Sequence, residues 1–315
     1  MTLLVTGADG FAGRYLVRHL LTAGHRVVAA IGPGGTPPEA WIPAGLPGTV
    51  ETRTLDLTDH PSIVALAHEA DGAIVHLAAM SSGRAAQSDP GRAWLVNAAG
   101  TALLCDALAR RSSPFRGRLL VVSTAEVYGA RGERPRVEDD PIVPCSTYAA
   151  TKAGGEIAAL EAWRRTGLDV VVARPFPHTG PGQPPLFAVP AFLERLKAAH
   201  RTGSATVKTG NLTPVRDYLD VRDVVRAYVA LLEVGASGEV YNIARGTGVP
   251  LLDVFQRLAA LVGVAVEPET DPALLRPADI THLVGDPSKL RNASGWAPAI
   301  PFQQTLGDMV HAEAN

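Results

Sequence analysis

The feature that most constrains the fold is a set of three regularly spaced glycines near the start of the chain. Gly7, Gly10 and Gly13 follow a short apolar segment that ends at Thr6, and they precede a segment with helical periodicity, Tyr15–Leu21. A strand, a glycine turn and a helix in this order let backbone amides and the helix N-terminus approach a pyrophosphate closely. The sequence therefore predicts a dinucleotide-binding turn whose cofactor-binding residues are Gly7, Gly10, Phe11, Ala12 and Gly13. A tight turn without a ligand is the simpler alternative.

The next predicted strand, Arg26–Ile31, does not end in a residue that would choose between two nicotinamide cofactors. A carboxylate there would bind the adenosine ribose of NAD, and an arginine would accommodate the 2′-phosphate of NADP. Glycine and proline follow instead, so the predicted cofactor is NAD or NADP. After the third strand, Asp56 and Leu57 are placed to flank the adenine, although a helix N-cap at Thr58 or Asp59 is an equally good interpretation.

Strand-like and helical segments alternate up to about residue 173. Ala73–Ala79 and Leu119–Val122 are further strand candidates. Parallel strands need crossover connections, so the alternation predicts an α/β fold, a Rossmann-type doubly wound parallel sheet with a smaller C-terminal α/β substrate-binding region. The predicted dinucleotide-binding domain is 1–173 plus about 214–246. The predicted substrate-binding domain is 174–213 plus 247–315.

Composition and charge exclude several classes of partner. A formal net charge of -2 and a pI near 6.5 leave no basic surplus for a nucleic acid backbone. The sequence has no apolar run of membrane length and no signal-peptide pattern, so neither membrane insertion nor export is expected. Cys105 and Cys145 form no CxxC motif, which favours the cytoplasm. His76 has no other ligand-type residue at metal-binding spacing, so no metal is expected.

Tyr148 and Lys152 are four residues apart in a segment of helical character. On a helix this spacing puts the phenol and the ammonium on one face. A cation beside a phenol favours the phenolate, so the pair predicts a lowered pKa for Tyr148 and a role in proton transfer. An ordinary tyrosine and a solvated lysine are the simpler alternative. Thr124 follows the strand Leu119–Val122, and ligands bind at the carboxyl ends of parallel strands, so the three side chains are expected to converge beside the nicotinamide.

Several motifs together resemble a known family over nearly the whole chain. In chain order they are Gly7-x-x-Gly10-x-x-Gly13, His76-Leu77-Ala78-Ala79, Asn97, Ser123-Thr124, Tyr148-x-x-x-Lys152, Arg174–Gln183, Gly210-Asn211-Leu212, Val215–Tyr218, Asp220–Asp223, Leu275–Asp279, Gly285–Arg291 and Gly295-Trp296. This set is similar to the extended short-chain dehydrogenase/reductases that act on nucleotide sugars, the NAD-dependent epimerase/dehydratase family. The second half resembles the branch that contains GDP-4-keto-6-deoxy-D-mannose reductase and GDP-mannose 4,6-dehydratase.

The resemblance implies a role for each matching residue. It implies that Tyr148 is the acid/base, that Lys152 holds the nicotinamide ribose and lowers the phenol pKa, and that Thr124 hydrogen-bonds the reacting sugar oxygen. Glu126 stands where the family's dehydratases have the base that removes the C5 proton, and it completes the implied catalytic set. Further implied cofactor-binding residues are Leu77, Ala78, Ala79, Asn97, Ser123 and Pro175. Implied substrate-binding residues are Ser81, Glu126, His178, Asn211, Arg216 and Arg276, the two arginines as clamps on the diphosphate or, alternatively, in structural ion pairs.

The implied activity is NAD(P)H-dependent reduction of the C4 ketone of a nucleotide-linked 4-keto-6-deoxyhexose, with a GDP-sugar favoured as substrate and a homodimer expected. A 4-epimerase or a 4,6-dehydratase with retained cofactor is the alternative enzyme, and a non-catalytic dinucleotide-sensing regulator is the alternative from another class. Two departures from the family pattern bear on this choice. Pro177 replaces an asparagine that usually contacts substrate, and Ala125 replaces the aspartic acid that aids water loss in some dehydratases.

Overall fold

Parallel strands form the main sheet of the molecule. The computed structural model describes residues 2–275 and 280–312. The strands are β1 (Thr2–Thr6), β2 (Arg26–Ile31), β3 (Thr49–Thr54), β4 (Ala73–His76), β5 (Leu119–Val122), β6 (Val170–Pro175), β7 (His178–Thr179), β8 (Thr206–Thr209), β9 (Val215–Arg216), β10 (Leu219–Asp220), β11 (Val240–Ile243), β12 (Val249–Pro250), β13 (Glu267–Thr270) and β14 (His282–Leu283). The main sheet has the order β11-β6-β5-β4-β1-β2-β3, and each neighbouring pair is parallel.

Helices connect these strands. They are α1 (Phe11–Thr22), α2 (His60–Glu69), α3 (Gly83–Ser88), α4 (Pro90–Trp94), α5 (Gly100–Ala109), α6 (Thr147–Thr166), α7 (Ala188–Thr202), α8 (Val221–Val234), α9 (Leu251–Val262), α10 (Ser288–Ser294) and α11 (Phe302–His311). A π-helical segment, Leu95–Ala99, joins α4 to α5, and short 3₁₀ turns cover Pro38–Ala40, Ala125–Tyr128 and Pro272–Leu274. Among the described residues, no helix combines the length and apolar character needed to cross a bilayer.

The two faces of the main sheet carry separate hydrophobic cores because successive side chains of a strand point to opposite faces. In β1, Leu3 and Val5 belong to the core that includes residues of α1 and α8, whereas Leu4 belongs to the core that includes residues of α2, α5 and α6. All three side chains are at most 4% exposed. Helices thus cover both faces of a parallel sheet, and the predicted Rossmann-type doubly wound fold is confirmed.

The C-terminal half adds smaller sheets beside the main one. β8 pairs with β13, β7 pairs with β10, and β9 lies between β12 and β14. A third core joins α7, α9 and α11, with Leu196, Phe255 and Leu306 at its centre. By contrast, β11 returns to the main sheet beside β6. The division of the chain into 1–173 plus about 214–246 and 174–213 plus 247–315 stays a prediction.

The strand register brings several chain segments to one edge of the main sheet. Thr6 at the end of β1 pairs with His76 at the end of β4, and His76 pairs with Val121 of β5. Val122 in turn pairs with Ala173 of β6. Because the strands are parallel, the segments that follow them emerge side by side. The glycine turn, the loop after β4 and the Ser123-Thr124 segment therefore meet at this edge.

Gly13→Ala is expected to lower the free energy of unfolding by about 2 kcal/mol or more and to weaken dinucleotide binding. A Cβ at Gly13 would lie 2.1 Å from the carbonyl oxygen of Gly7, so backbone has to move, and overpacking of this kind costs about 1 to 3 kcal/mol. Urea denaturation and cofactor titration measure the two effects.

The matched control for this substitution is Gly83→Ala, in the first turn of α3. A Cβ there meets no atom within 4 Å, so stability and cofactor binding should be unchanged. A Gly13→Ala variant as stable as the Gly83→Ala variant would contradict the close packing of the glycine turn.

Candidate active site

The glycine turn is packed directly against the segment that follows β4. Gly7 has φ of 65°, and a Cβ at this position would lie 2.8 Å from the backbone nitrogen of Ala78. The Gly10 N–H donates to the Gly7 carbonyl at 3.0 Å, and Gly10 is the N-cap of α1. Only glycine fits the left-handed conformation and the close approach at Gly7 without strain. The turn therefore presents main chain and the start of α1, where the predicted cofactor residues Phe11 and Ala12 lie, to a ligand.

Asn97 ties the loop after β4 to α6. Its Oδ1 accepts from the Met80 N–H at 2.8 Å, and its Nδ2 donates to the Met80 carbonyl at 3.2 Å and to Thr151 Oγ1 at 2.9 Å. Asn97 lies in the π-helical segment and is only 1% exposed. Its side chain is thus engaged with protein, and it positions both Leu77–Ala79 and the helix turn that carries Lys152.

His76 forms a buried polar contact below the same edge. Its Nδ1 is 2.8 Å from Thr6 Oγ1 and its Nε2 is 3.1 Å from Thr101 Oγ1. Burial, with a smaller contribution from the positive charge of Lys152, lowers the pKa of His76 to about 3, so the ring is neutral. Among the described residues, no three His, Cys, Asp or Glu side chains are grouped as a metal ion would require.

Thr124 and Tyr148 are joined by a hydrogen bond between their side chains. Thr124 is the second residue after β5, and its Oγ1 also accepts from the Glu126 N–H at 3.2 Å. Tyr148 lies in the first turn of α6, which begins at Thr147 because the side chain of Ser146 accepts from the Ala149 N–H. A strand end and a helix start therefore bring these two side chains together.

The expected lowering of the Tyr148 pKa is wrong for this structure. Burial raises the pKa of the phenol, the negative charge of Glu126 raises it further, and the hydrogen bond with Thr124 lowers it only in part. Burial also lowers the pKa of Lys152 to about 8, opposed by the charge of Glu156. Desolvation and the charge of Glu126 outweigh the hydrogen bond with Thr124, and Lys152 is not among the groups that lower the Tyr148 pKa, so the phenol carries its proton at neutral pH.

Two other residues flank this centre. Ser123 is 3% exposed, and its Oγ is buried with no hydrogen-bond partner among the described residues. A buried hydroxyl without a partner is costly, so it is suited to a bound polar group. Glu126 is half-buried in the 3₁₀ turn after Thr124. Its negative charge acts on Tyr148, which places it in the same centre.

The segment after β6 packs against α1, the helix that follows the glycine turn. The ring of His178 stacks on Phe11 at 6.3 Å between centroids and 10° between planes, and the Tyr15 hydroxyl donates to the Pro181 carbonyl at 2.8 Å. A predicted substrate residue and a predicted cofactor residue thus touch. Pro175 is fully buried at the end of β6. Pro177 accepts from the Leu219 N–H through its carbonyl.

The region after β3 combines both interpretations offered by the sequence. Asp59 is the N-cap of α2 and accepts from the Ser62 N–H. Asp56 accepts from the N–H and the hydroxyl of Thr58, whereas Leu57 is 6% exposed against Gly100 of α5. Asp56 and Leu57 therefore have structural contacts, and their part in adenine binding stays a prediction.

A carboxylate of the glycine turn lies beside the segment that follows β2. Asp9 Oδ2 accepts from the Thr36 N–H at 3.2 Å, and a Cβ at Gly35 would lie 2.6 Å from the same oxygen and 3.2 Å from Cβ of Ile31. Sequence reasoning missed this residue because it looked for an acid after β2, and Asp9 precedes β2 by many residues.

The other predicted substrate residues lie in the C-terminal region or at its border. Asn211 lines a cavity of about 500 Å³ together with Thr209, Leu252 and Leu275. Asn211 Oδ1 accepts from the N–H and the hydroxyl of Thr213, whereas the buried Thr209 Oγ1 has no partner among the described residues. Arg216 lies in β9. The predicted clamp Arg276 lies outside the described residues, and Ser81 is exposed beyond β4.

A buried ion pair behind the centre also went unrecognised in the sequence. Glu156 lies four residues after Lys152 on α6 and binds Arg174 of β6 through both carboxylate oxygens. The available signal was the acidic residue at helical spacing from Lys152.

The observed groups fit a dinucleotide. The cradle that a Cβ would fill at Gly7 and Gly13, the half-buried start of α1 and Ser123, whose Oγ has no partner among the described residues, all lie at the edge where ligands bind in such sheets. The residues placed to hold it are the glycine turn, Leu77–Ala79, Ser123, Tyr148 and Lys152.

Comparison with known proteins gives consistent matches over the whole chain. Residues 3–244 match the model of the NAD dependent epimerase/dehydratase family. GDP-6-deoxy-D-mannose reductase of Pseudomonas aeruginosa is 32% identical over 307 residues, which are 96% of this chain and 94% of the relative. dTDP-glucose 4,6-dehydratase of Streptomyces antibioticus is 33% identical over 312 residues, 97% and 90% of the two chains.

Solved structures also resemble this chain over nearly its whole length, in fold and in sequence. RMD from Pseudomonas aeruginosa complexed with NADPH has a TM-score of 0.82 at 31% identity and covers 98% of this chain and 97% of its own. UDP-glucose 4-epimerase of Thermus thermophilus in complex with NAD has a TM-score of 0.84 at 30% identity and covers 98% of each chain.

Asn97→Ala is expected to lower the free energy of unfolding by about 2 kcal/mol or more and to weaken cofactor binding. The substitution leaves the Met80 N–H without its acceptor and removes the donor to Thr151 Oγ1, which keeps its own hydrogen bond to the Tyr148 carbonyl. A buried group left without a partner costs about 1 to 3 kcal/mol, and the lost hydrogen bond adds about 1 kcal/mol. Asn292→Ala, on the exposed face of α10, is the control and should change neither quantity. Equal stabilities of the two variants in urea denaturation would show that the Asn97 contacts are not needed.

Proposed function

The chain belongs to the NAD dependent epimerase/dehydratase family, and we propose that it reduces the C4 ketone of a nucleotide-linked 4-keto-6-deoxyhexose with NADH or NADPH. Membership makes the protein an NAD(P)-dependent enzyme of the nucleotide-sugar type. The observation that carries the proposed reaction is the protonated Tyr148 phenol hydrogen-bonded to Thr124. A ketone that accepts a hydride also needs a proton on its oxygen, and a neutral phenol can donate one.

The residues of the site divide the proton chemistry among them. The cofactor, when bound, supplies or accepts the hydride. Thr124 holds the carbonyl oxygen by a hydrogen bond, and Tyr148 donates its phenolic proton to that oxygen as the C4 alcohol forms. The resulting phenolate is stabilised by the ammonium of Lys152, one helical turn away. Lys152 is 7% exposed, so its charge is little screened by water.

Reduction fits the residues beside Thr124 better than dehydration does. Loss of water from a nucleotide sugar requires a base for the C5 proton and an acid for the departing hydroxyl. Glu126, in the turn after Thr124, is the base that we would propose for this reaction, but Ala125 offers no acid. The same Glu126 makes a 4,6-dehydratase the second candidate, and a 4-epimerase would use Tyr148 alone as acid and base. Both would retain the cofactor through turnover.

The nucleotide part of the substrate is assigned to the C-terminal region. The cavity of about 500 Å³ has apolar walls from Leu212, Leu252 and Leu275 and the hydroxyl of Thr209, which has no partner in the part of the chain that the structure describes. Apolar walls with a few polar atoms suit a planar base. Arg216, in the strand that follows, is the residue that we propose to bind the diphosphate. A GDP-sugar is favoured because the reductase relative acts on one by name.

We assign the protein to the cytoplasm and expect a homodimer. Cys105 and Cys145 are free thiols, as expected of a reducing compartment. Ile157 of α6 is 59% exposed, and Leu95 and Trp94 are 55% and 47% exposed on the neighbouring helical segment. Gly154 joins these side chains into one patch because a Cβ there would lie 2.8 Å from the Trp94 ring. An exposed apolar patch of this kind suits a second copy of the chain.

Ile157→Arg combined with Leu95→Arg is expected to halve the mass of the particle to that of one 33.0 kDa chain. Two guanidinium groups from each chain, buried without partners, would outweigh the apolar contact at the interface. Light scattering after gel filtration measures the mass. Val234→Arg, at an apolar position on α8 that is 45% exposed, is the control and should leave a dimer. A wild-type monomer would refute the proposed dimer.

Incubation with GDP-4-keto-6-deoxymannose is expected to consume one NAD(P)H per sugar, seen as loss of nicotinamide absorbance with formation of a C4 alcohol. Glu126→Gln should slow this reaction by no more than about tenfold, because reduction needs no C5 base. A dehydratase would lose about 10²- to 10⁴-fold with the same substitution. Turnover of a nucleotide hexose without net consumption of NAD(P)H would overturn the reductase proposal.

A further inference from the structure

Glu156 and Arg174 form an ion pair in the interior of the protein. Glu156 is 1% exposed and Arg174 is 3% exposed. Arg174 Nε donates to Glu156 Oε2 at 3.1 Å, and Arg174 Nη2 donates to the other carboxylate oxygen. A two-pronged contact of this kind holds the carboxylate in one orientation.

Arg174 is itself fixed by a set of neighbours. Its Nη1 donates to the Tyr128 hydroxyl at 2.9 Å and to the Glu138 carbonyl at 3.0 Å, and its guanidinium lies 4.8 Å from the centre of the Tyr128 ring. The Tyr128 hydroxyl donates to Asn242 Oδ1 at 2.7 Å. Rotation of the pair would therefore break the contacts of Arg174 with Tyr128 and Glu138 and, through Tyr128, the contact with Asn242 of β11. The position of the Glu156 charge is set by the fold.

Lys152 lies one helical turn before Glu156 on the same face of α6. Side chains four residues apart on a helix are neighbours, with Cβ atoms roughly 5–6 Å apart. Among the described residues Lys152 makes no ion pair of its own. The charge of Glu156 raises the pKa of Lys152 and opposes burial, which lowers it to about 8. Glu156 thus acts on an ammonium that it does not bind directly.

Few other charges act near this lysine. The titratable and charged groups on the segments around this part of α6 are His76 of β4, Arg84 of α3, Arg92 of α4, Cys105 and Asp106 of α5, Glu126 and Tyr128 of the 3₁₀ turn, Arg174 of β6, and Tyr148, Glu156, Glu161, Arg164 and Arg165 of α6 itself. His76 is neutral, Arg84 and Arg92 are exposed, and Asp106 is paired with Arg110. Glu156 is the buried carboxylate of this set.

We propose that Glu156 is a positioning residue whose carboxylate, fixed by Arg174, supplies the buried negative charge that keeps the ammonium of Lys152 protonated beside Tyr148. This inference rests on the proposed role of Lys152 in proton transfer. Without that charge, Lys152 loses its proton at lower pH, and the phenolate formed during reduction loses its cation. A pair that served only to join α6 to β6 would change stability and leave the titration of Lys152 where it is.

The direct test is the titration of Lys152 in protein without sugar substrate. The chain has four lysines, so ¹³C-lysine labelling gives few side-chain Cε signals, and Lys152→Met identifies the one from Lys152. The wild-type signal should titrate near the lowered value of about 8. Glu156→Gln, which preserves shape and removes charge, should move the midpoint down by about one pH unit. An unchanged midpoint in folded Glu156→Gln would overturn the proposal.

Glu161→Gln is the matched control on the same helix. Glu161 is exposed and paired with Arg165, so removing its charge should leave the Lys152 midpoint in place. If Glu156→Gln does not fold, Glu156→Asp takes its place, because it keeps the charge but withdraws it by one methylene. The Lys152 midpoint in Glu156→Asp should then lie below that of the wild type by less than about one pH unit. An unchanged midpoint would overturn the proposal.

The second readout is the pH dependence of turnover. Activity should fall as pH rises through the Lys152 midpoint, and Glu156→Gln should move this fall to lower pH by the same amount as the NMR titration. A lower rate with an unmoved pH profile would mean a structural role only and would overturn the proposal. The NMR titration is done without sugar, so its midpoint does not depend on the proposed reaction. If the proposed reaction is wrong, the NMR result is unchanged, and this failure can be told apart from failure of the Glu156 proposal.

Discussion

The contact between the glycine turn and the segment after β4 is the constraint on which the site depends. Gly7 and Gly13 bring the main chain of the turn so close to Ala78 and to itself that no side chain fits between. This contact places the start of α1 at the edge of the sheet, where amides and the helix N-terminus attract a pyrophosphate. Asn97 then holds the loop after β4 in place against α6. The chemistry of the site is built on these two backbone constraints.

Burial, more than pairing of charges, sets the protonation states of the centre. Desolvation raises the pKa of Tyr148 and lowers those of Lys152 and His76. The result is a neutral Tyr148 phenol, a Lys152 ammonium that loses its proton more easily than usual, and a neutral His76 imidazole. A site in this state is suited to giving a proton to a ketone oxygen. The negative charge of Glu156 acts against desolvation, because it raises the pKa of Lys152.

Most of the candidate site was predictable from local patterns, and the exceptions share one cause. The glycine turn, Thr124, Tyr148 and Lys152 could be placed because each belongs to a motif with a fixed relation to a strand end or a helix turn. The pKa of Tyr148 was predicted in the wrong direction because burial depends on what packs over the phenol. Asp9 went unnoticed because a carboxylate at the end of β2 was sought in the adjacent sequence.

The sequence by itself determined the alternation of strands and helices, the parallel doubly wound sheet and the helical spacing of Tyr148 and Lys152. These follow from periodicity and glycine placement, which act over a few residues. Tertiary structure alone decided that Glu156 meets Arg174, that His178 stacks on Phe11 and that the phenol stays protonated. Such features depend on contacts between segments far apart in the chain and on the exclusion of water, and no local pattern encodes either.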